Sequence, residues 1–483
     1  MNLAQRSIRA SAYNISGSLI QTGVAFARSV ILLRLLNPDV FGVYRFTSSF
    51  IFWTAALPNF GMGGALVHHT HESEGEGALR IHFTLTLLFN IVWVVGLGGL
   101  GLLFIQDVQS KGVFMALLMS QFFVNLTQTA RSSLVRKVAF RRIALLNTFA
   151  TILAAVVVVF LAWKGYGVWS LVSSDLVRAG VLVMGLYIIR PVWRPRLGWA
   201  KESIQYFLSF GRRNFLNQPL LRSLDRLDDL WTGFFLGDEA LGFYSRAYRL
   251  SSYPGNVFAA PLGSVASGTY AELKGHPKRL SQAFFRVNAF LIRIGFLLGG
   301  LLMLIAPEFI FIVAGEKWLP MVNTFRLMLI FTLLNPLKLT IAGLFTAVGK
   351  PEIVMKTRVV QLGVLVSALF AFGLPWGNEG VALAVDLMLL VGIVLLLWWA
   401  REYVRISIRS LFQAPLLSLI ASMGVVWMVF FIDLGWPMWG IGMGKVLLFS
   451  VIYISVLYGF ERGEILNLLP LVRKLTQSVF IVR

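Results

Sequence analysis

The chain has 483 residues, 57% hydrophobic and only 13% charged, with 43 Lys and Arg against 22 Asp and Glu and no cysteine. That composition excludes a conventional soluble domain, and the missing cysteines exclude a disulfide framework, a thiol nucleophile and an iron–sulfur site. The formal net charge of +21 would suggest nucleic acid in a soluble chain, but here it lies mostly in gaps between apolar stretches, where it sets topology and meets anionic headgroups, so no nucleic-acid partner is expected.

Apolar windows of about 20 residues, the length that crosses a bilayer, occur at 13–36, 41–67, 81–105, 113–134, 144–163, 168–189, 204–236, 240–271, 284–306, 320–348, 353–373, 381–400, 412–432 and 441–460. The expectation is an all-α polytopic membrane protein with about fourteen transmembrane helices. Span 1 carries Arg28 and Arg34 and lacks the layout of a cleavable signal, so it is read as retained. The gap after span 2 holds His68, His69 and His71 beside acidic residues; without a defined ligand spacing it is a solvated loop, not a metal site. Gly349–Glu352 lacks the glycines and strand of a phosphate-cradling loop and is expected to be a tight interhelical turn. The gaps are short, so function is expected among the helices, with no catalytic residues, no metal and no cofactor.

Lys and Arg fall in every second gap. Arg6 and Arg9, Arg80, Arg136 to Arg142, Arg190 to Lys201, Lys274 to Arg279, Lys350 to Arg358, Arg401 to Arg409 and the tail lie on one side; Lys111, Lys164 and Lys317 lie on the other. By the positive-inside rule both termini are cytoplasmic and the span count is even.

A shift of 200 positions lays Leu35–Tyr44 over Phe235–Tyr244, with Gly42 over Gly242. The first copy joins spans 1 and 2 and the second joins spans 7 and 8. This implies two six-helix lobes in parallel pseudo-repeat, 1–200 and 201–405, followed by two extra helices and a cytoplasmic tail in 406–483, with a substrate site near mid-membrane.

Span 7 is the most charged. At 100° per residue, Arg222, Asp225, Arg226 and Asp229 share an arc of about 100°, with Asp228 off that stripe. Facing lipid, four charges at about 2.5–3.5 kcal/mol each would cost on the order of 10 kcal/mol or more, so the stripe must face protein or water. It reads either as an internal ladder, Arg222–Asp225 and Arg226–Asp229, or as a polar cavity wall joined by Arg28, Arg34, Arg45, Arg246 and Arg249. Arg28 and Asp228 are repeat-equivalent and are expected to meet as part of a gate. An arginine-rich cavity favours an anion, phosphate above all. Arg131 and Arg178, with Asn125 and Gln128, are candidate extensions, and Asp175 and Asp386 are candidate proton or cation sites.

Leu33–Gly42, Phe235–Leu250, Arg136–Arg142, Gly165–Trp169 and Ala347–Pro351 resemble the polysaccharide exporters of the multidrug/oligosaccharidyl-lipid/polysaccharide superfamily, of the colanic-acid and O-antigen flippase type. The resemblance implies a flippase of the bacterial inner membrane that moves an undecaprenyl-pyrophosphate-linked oligosaccharide by alternating access through a cationic cavity, with no enzymatic step. It implies Arg28, Arg45, Arg222, Arg246 and Arg249 as pyrophosphate ligands. Arg34, Asp225, Arg226, Asp228 and Asp229 then serve gating or coupling to a proton or sodium gradient. Membrane lipids, a polysaccharide polymerase and assembly proteins are the expected partners. Competing readings are a lipid II flippase, a drug or cation antiporter of the same superfamily, and a membrane glycosyltransferase or polymerase.

Overall fold

A computed structural model describes residues 3–68, 75–137, 139–215, 217–430 and 437–480, and among these there is no strand. His69 and His71 lie outside the described residues. The chain divides into two compact units, Met1–Gly242 and Phe243–Arg483.

In the first unit α1 (Leu3–Leu35) and α2 (Pro38–Thr54) are followed by a 3-10 turn at Met62–Gly64 and the short α3 (Ala65–His68). Then come α4 (Gly75–Phe104), α5 (Val108–Leu126), α6 (Gln128–Arg136), α7 (Phe140–Trp163) and α8 (Val168–Val183), the last extended by a π-turn at Met184–Ile188. α9 (Lys201–Asn214), α10 (Asn217–Phe235) and the start of α11 (Asp238–Leu273) complete it. Span 204–236 is therefore two helices. The polar run Arg212–Arg213–Asn214 ends an amphipathic α9, whose Ile204, Phe207 and Phe210 pack on Met62, Ala65, Leu66 and the start of α4.

The second unit holds α12 (Pro277–Leu304), α13 (Ala306–Val313), a 3-10 turn at Glu316–Met321, α14 (Val322–Ala347), α15 (Pro351–Ala368), α16 (Leu374–Ala400), α17 (Ile408–Phe430) and α18 (Met438–Phe480). Tyr270, Phe284, Ile341, Phe345, Leu389 and Phe449 form its core. As expected, Gly349 makes a tight turn: at φ +80° it precedes Lys350, whose N–H donates to the Phe345 carbonyl at 2.8 Å, and Pro351 opens α15.

Among the described residues, ten stretches are long and apolar enough to cross a membrane. One of them, Pro351–Ala400, is 50 residues long and contains both α15 and α16, twice the length one crossing needs. α2, α10 and α11 are not among the ten; α10 and the first half of α11 carry most of the intramembrane charge of the central sequence. Val92, Leu103, Phe104, Val156 and Phe160 are exposed on α4 and α7, which is how helices meet lipid. The protein is an all-helical, multi-pass membrane protein.

Asn37 with extended φ/ψ and Pro38 at the first position start α2; Gly237 at φ +88° starts α11 at the equivalent point. Two further glycines share one backbone conformation: Gly167 before α8 has φ 53°, ψ −125°, and Gly377 near the start of α16 has φ 55°, ψ −135°. Such positive φ is accessible to glycine and strained for any other residue.

Candidate functional site

Within the first unit α10 packs along α2, and the sequence places serine, arginine and aromatic side chains on α2 opposite the charged stripe of α10. At the centre is the Asp229 carboxylate, with its side chain 2% exposed. It pairs with Arg45 of α2 at 2.8 Å and with Arg226 of its own helix at 3.5 Å, and accepts the Ser49 hydroxyl at 2.9 Å. About two turns before Asp229 on α10, Arg222 donates to the backbone carbonyl of Phe52. The guanidinium groups of Arg222 and Arg226 lie over the Phe52 ring, 4.6 Å and 4.5 Å from its centroid. Trp53 Nε1 donates to Ser223 Oγ at 2.9 Å and closes the seam.

The carboxylate is sealed while its cations are more open: the side chains of Arg45 and Arg226 keep 17% and 22% exposure. A buried carboxylate with two cationic partners and a hydroxyl is held in place. Each guanidinium has five N–H donors in a rigid planar fork. The Phe52 face fixes the planes of two of them by cation–π attraction. The seam is thus a pre-positioned set of planar donors, suited to an oxyanion with several oxygens.

The expected residues are distributed as follows. Arg45, Arg222, Arg226 and Asp229 come together. The Arg226–Asp229 rung of the expected ladder is present, whereas Arg222 engages Phe52. Asp225, placed on the stripe by its angle, is exposed; Asp228, placed off it, is 7% exposed. On α1 Arg28 is half-buried and Arg34 exposed. Arg246 and Arg249 lie on α11 in the second unit, Arg246 buried at 7% and Arg249 half-buried. Asp175 on α8 accepts the Tyr44 hydroxyl at 2.6 Å. Asp386 is buried in α16.

A buried polar ladder was not anticipated. His82 Nδ1 lies 2.9 Å from Thr129 Oγ1 and 3.5 Å from Thr86 Oγ1, Asn90 donates to the Thr86 carbonyl, and Asn125 donates to Asn90 at 2.8 Å while accepting from Gln121. Asn125 thus serves the packing of α5 on α4 and is not available to a cavity wall beside Arg131. The signal was present: His82, Thr86 and Asn90 are spaced i, i+4, i+8 on one face of α4.

A family model described as "Polysaccharide biosynthesis protein" matches residues 31–323. The succinoglycan biosynthesis transport protein ExoT of Rhizobium meliloti (strain 1021) is 26% identical over 308 residues, 61% of this chain and 60% of that protein, so the match spans less than two thirds of the relative. The lipopolysaccharide biosynthesis protein WzxC of Escherichia coli (strain K12) is 23% identical over 403 residues, 82% of this chain and 81% of that one. Among solved structures, the lipid II flippase MurJ in an inward closed conformation matches with a TM-score of 0.78 at 15% identity, over 95% of this chain and all of that one, which shows a common fold.

Proposed function

This chain belongs to the polysaccharide biosynthesis protein family, and from that premise we propose that it is a flippase for a polyprenyl-pyrophosphate-linked oligosaccharide, working by alternating access in the bacterial inner membrane. The observation that carries this reading is the seam of Arg45, Arg222 and Arg226 held by Asp229 and Phe52. A pyrophosphate diester brings two negative charges on oxygens at fixed spacing. Crossing the bilayer core strips its water, and bidentate guanidinium forks replace that water at low local dielectric.

Asp229 and Phe52 hold the forks in place before the substrate arrives, so little ordering remains to be done on binding. Arg28 and Arg34 on α1 extend the proposed set, and Arg246 and Arg249 are the second unit's share of it. The polyprenyl tail stays in lipid and no bond is made or broken. Both termini are cytoplasmic in this reading, as the basic gaps dictate. Coupling to a proton or sodium gradient belongs to the same proposal, with Asp225, Asp228 and Asp229 as the carboxylates that exchange the ion and Arg28–Asp228 as a gate pair. A polymerase and assembly proteins would receive the product.

The test is translocation in proteoliposomes of known orientation. An undecaprenyl-pyrophosphate oligosaccharide is supplied on one face and its appearance on the other is followed for the protein and for Arg45→Ala and Arg222→Ala. Removing a charged hydrogen-bonding partner costs about 1.5–3 kcal/mol, so each variant should lose about tenfold or more in rate. Full rates in both folded variants would overturn the arginine site. Movement of lipid II or of a cationic drug in place of the oligosaccharide would transfer the protein to one of the competing readings.

A further inference from the structure

The two repeat turns, singled out by sequence and unused by the arginine seam, are seated on each other. Gly42 in the first turns of α2 lies so close to the backbone of Asp238 that a Cβ there would be driven into its carbonyl. Gly242, in the same place on α11, stands in the same relation to the carbonyl of Pro38. Two helix starts therefore cross backbone to backbone, each glycine receiving the other's carbonyl, as small residues allow in membrane helix pairs. Both helices begin with acidic residues, Asp39 on α2 and Asp238 with Glu239 on α11.

We propose that this double-glycine seat is a pH-sensitive latch, closed when the Asp238 carboxyl holds a proton and released when it ionises against the charge of Asp39. Each carboxylate alone is favoured at a helix start by the dipole, but closing the seat brings two such starts together and sets the charges against each other. Asp238 lies outside the apolar spans, and partial burial in the joint, then the neighbouring Asp39 charge, push its carboxyl above the usual carboxylate range. The sign follows from linkage: the closed seat binds the proton more tightly than an open, hydrated one, so acid favours closure and closure is lost as pH rises through the raised value. Other charged groups near these helix starts, among the described residues, include Glu239 on α11, Arg34 closing α1, and Asp107 and Lys111 at the start of α5, whose residues pack with Val40 and Tyr44. Asp39 is the charge that acts on Asp238.

The chain has no cysteine, so Leu35→Cys and Glu239→Cys give a unique pair for spin labels on exposed positions. Pulsed electron–electron distance measurement on the purified protein across mild acid to mild alkali should show the short-distance population falling severalfold as pH rises. Asp39→Asn and Asp238→Asn should hold the short distance at every pH. Gly242→Val, or the milder Gly42→Ala, should abolish it at every pH and so identifies the open state. A pH-independent population in the unsubstituted pair, or a pH response that survives in both asparagine variants, would overturn the latch. No substrate enters this experiment, so its failure and that of the flippase reading are separable.

Discussion

The first and second units each bury ion pairs among their helices, yet they build them differently. In the second unit Arg293 of α12 meets Glu461 of α18 fork to fork, Nε to Oε2 at 2.6 Å and Nη2 to Oε1 at 2.5 Å, with side chains 6% and 10% exposed. Tyr453 donates to the Arg293 carbonyl, and nearer the start of α18 Lys445 pairs with Glu308 at 2.6 Å. Both pairs match one cation to one carboxylate and tie α18 to α12 and α13. In the first unit one carboxylate, Asp229, is shared by Arg45 and Arg226, while Arg222 leans on an aromatic ring and a carbonyl. A matched pair ties two helices one to one; a shared carboxylate gathers two cations and, with the ring of Phe52, three guanidinium groups in one seam.

The comparison can be broken most forcefully in the second unit. Glu461→Gln leaves Arg293 buried without its counter-charge and should destabilise the protein by about 3–5 kcal/mol, read as a lowered melting midpoint in detergent; Glu461→Leu with Arg293→Met should recover most of it. In the first unit Asp229→Asn frees two cations with more access to water. It should cost less stability, about 1–3 kcal/mol, while abolishing translocation by unfixing the forks. Arg222→Lys keeps charge but loses the planar fork, and should keep stability while binding the pyrophosphate about tenfold or more weakly, measured by titration with the lipid-linked oligosaccharide. Arg28→Asp with Asp228→Arg should restore translocation lost in either single variant; no rescue would count against that gate pair. Smallest is Asp107→Asn at the start of α5. The Ser110 backbone N–H holds the Asp107 carboxyl below its ordinary value. Its stabilisation is therefore present at neutral pH and lost as pH falls through that lowered value, so the small difference in melting midpoint between the two proteins should close in acid.

Much of this was legible because membranes impose coarse rules. Hydropathy located the apolar helices, and a charged stripe in an apolar helix had to find protein or water, as Arg226 and Asp229 do. The turn repeat was legible because glycine and proline at helix starts are backbone requirements. What failed were features that an average conceals. The break between α9 and α10 lies inside one apolar window, and the polar run Arg212–Asn214 that marks it was diluted by phenylalanines. The His82–Asn125 ladder uses uncharged groups that scarcely lower hydropathy. Asp225 and Asp228 exchanged places because an angular position names a face, and only the fold decides which faces are covered.

The seat formed by Gly42 and Gly242 is reciprocal: each turn offers a glycine and receives a carbonyl. A contact in which a surface patch meets its own copy is the isologous contact of a two-fold dimer, and here it is made by one chain. Such a patch must satisfy two demands with one shape, being at once the socket and the plug. A side chain added to either turn therefore spoils only one of the two half-contacts, and tilts the local two-fold before it breaks it. Single and double substitutions at Gly42 and Gly242 measure that symmetry directly.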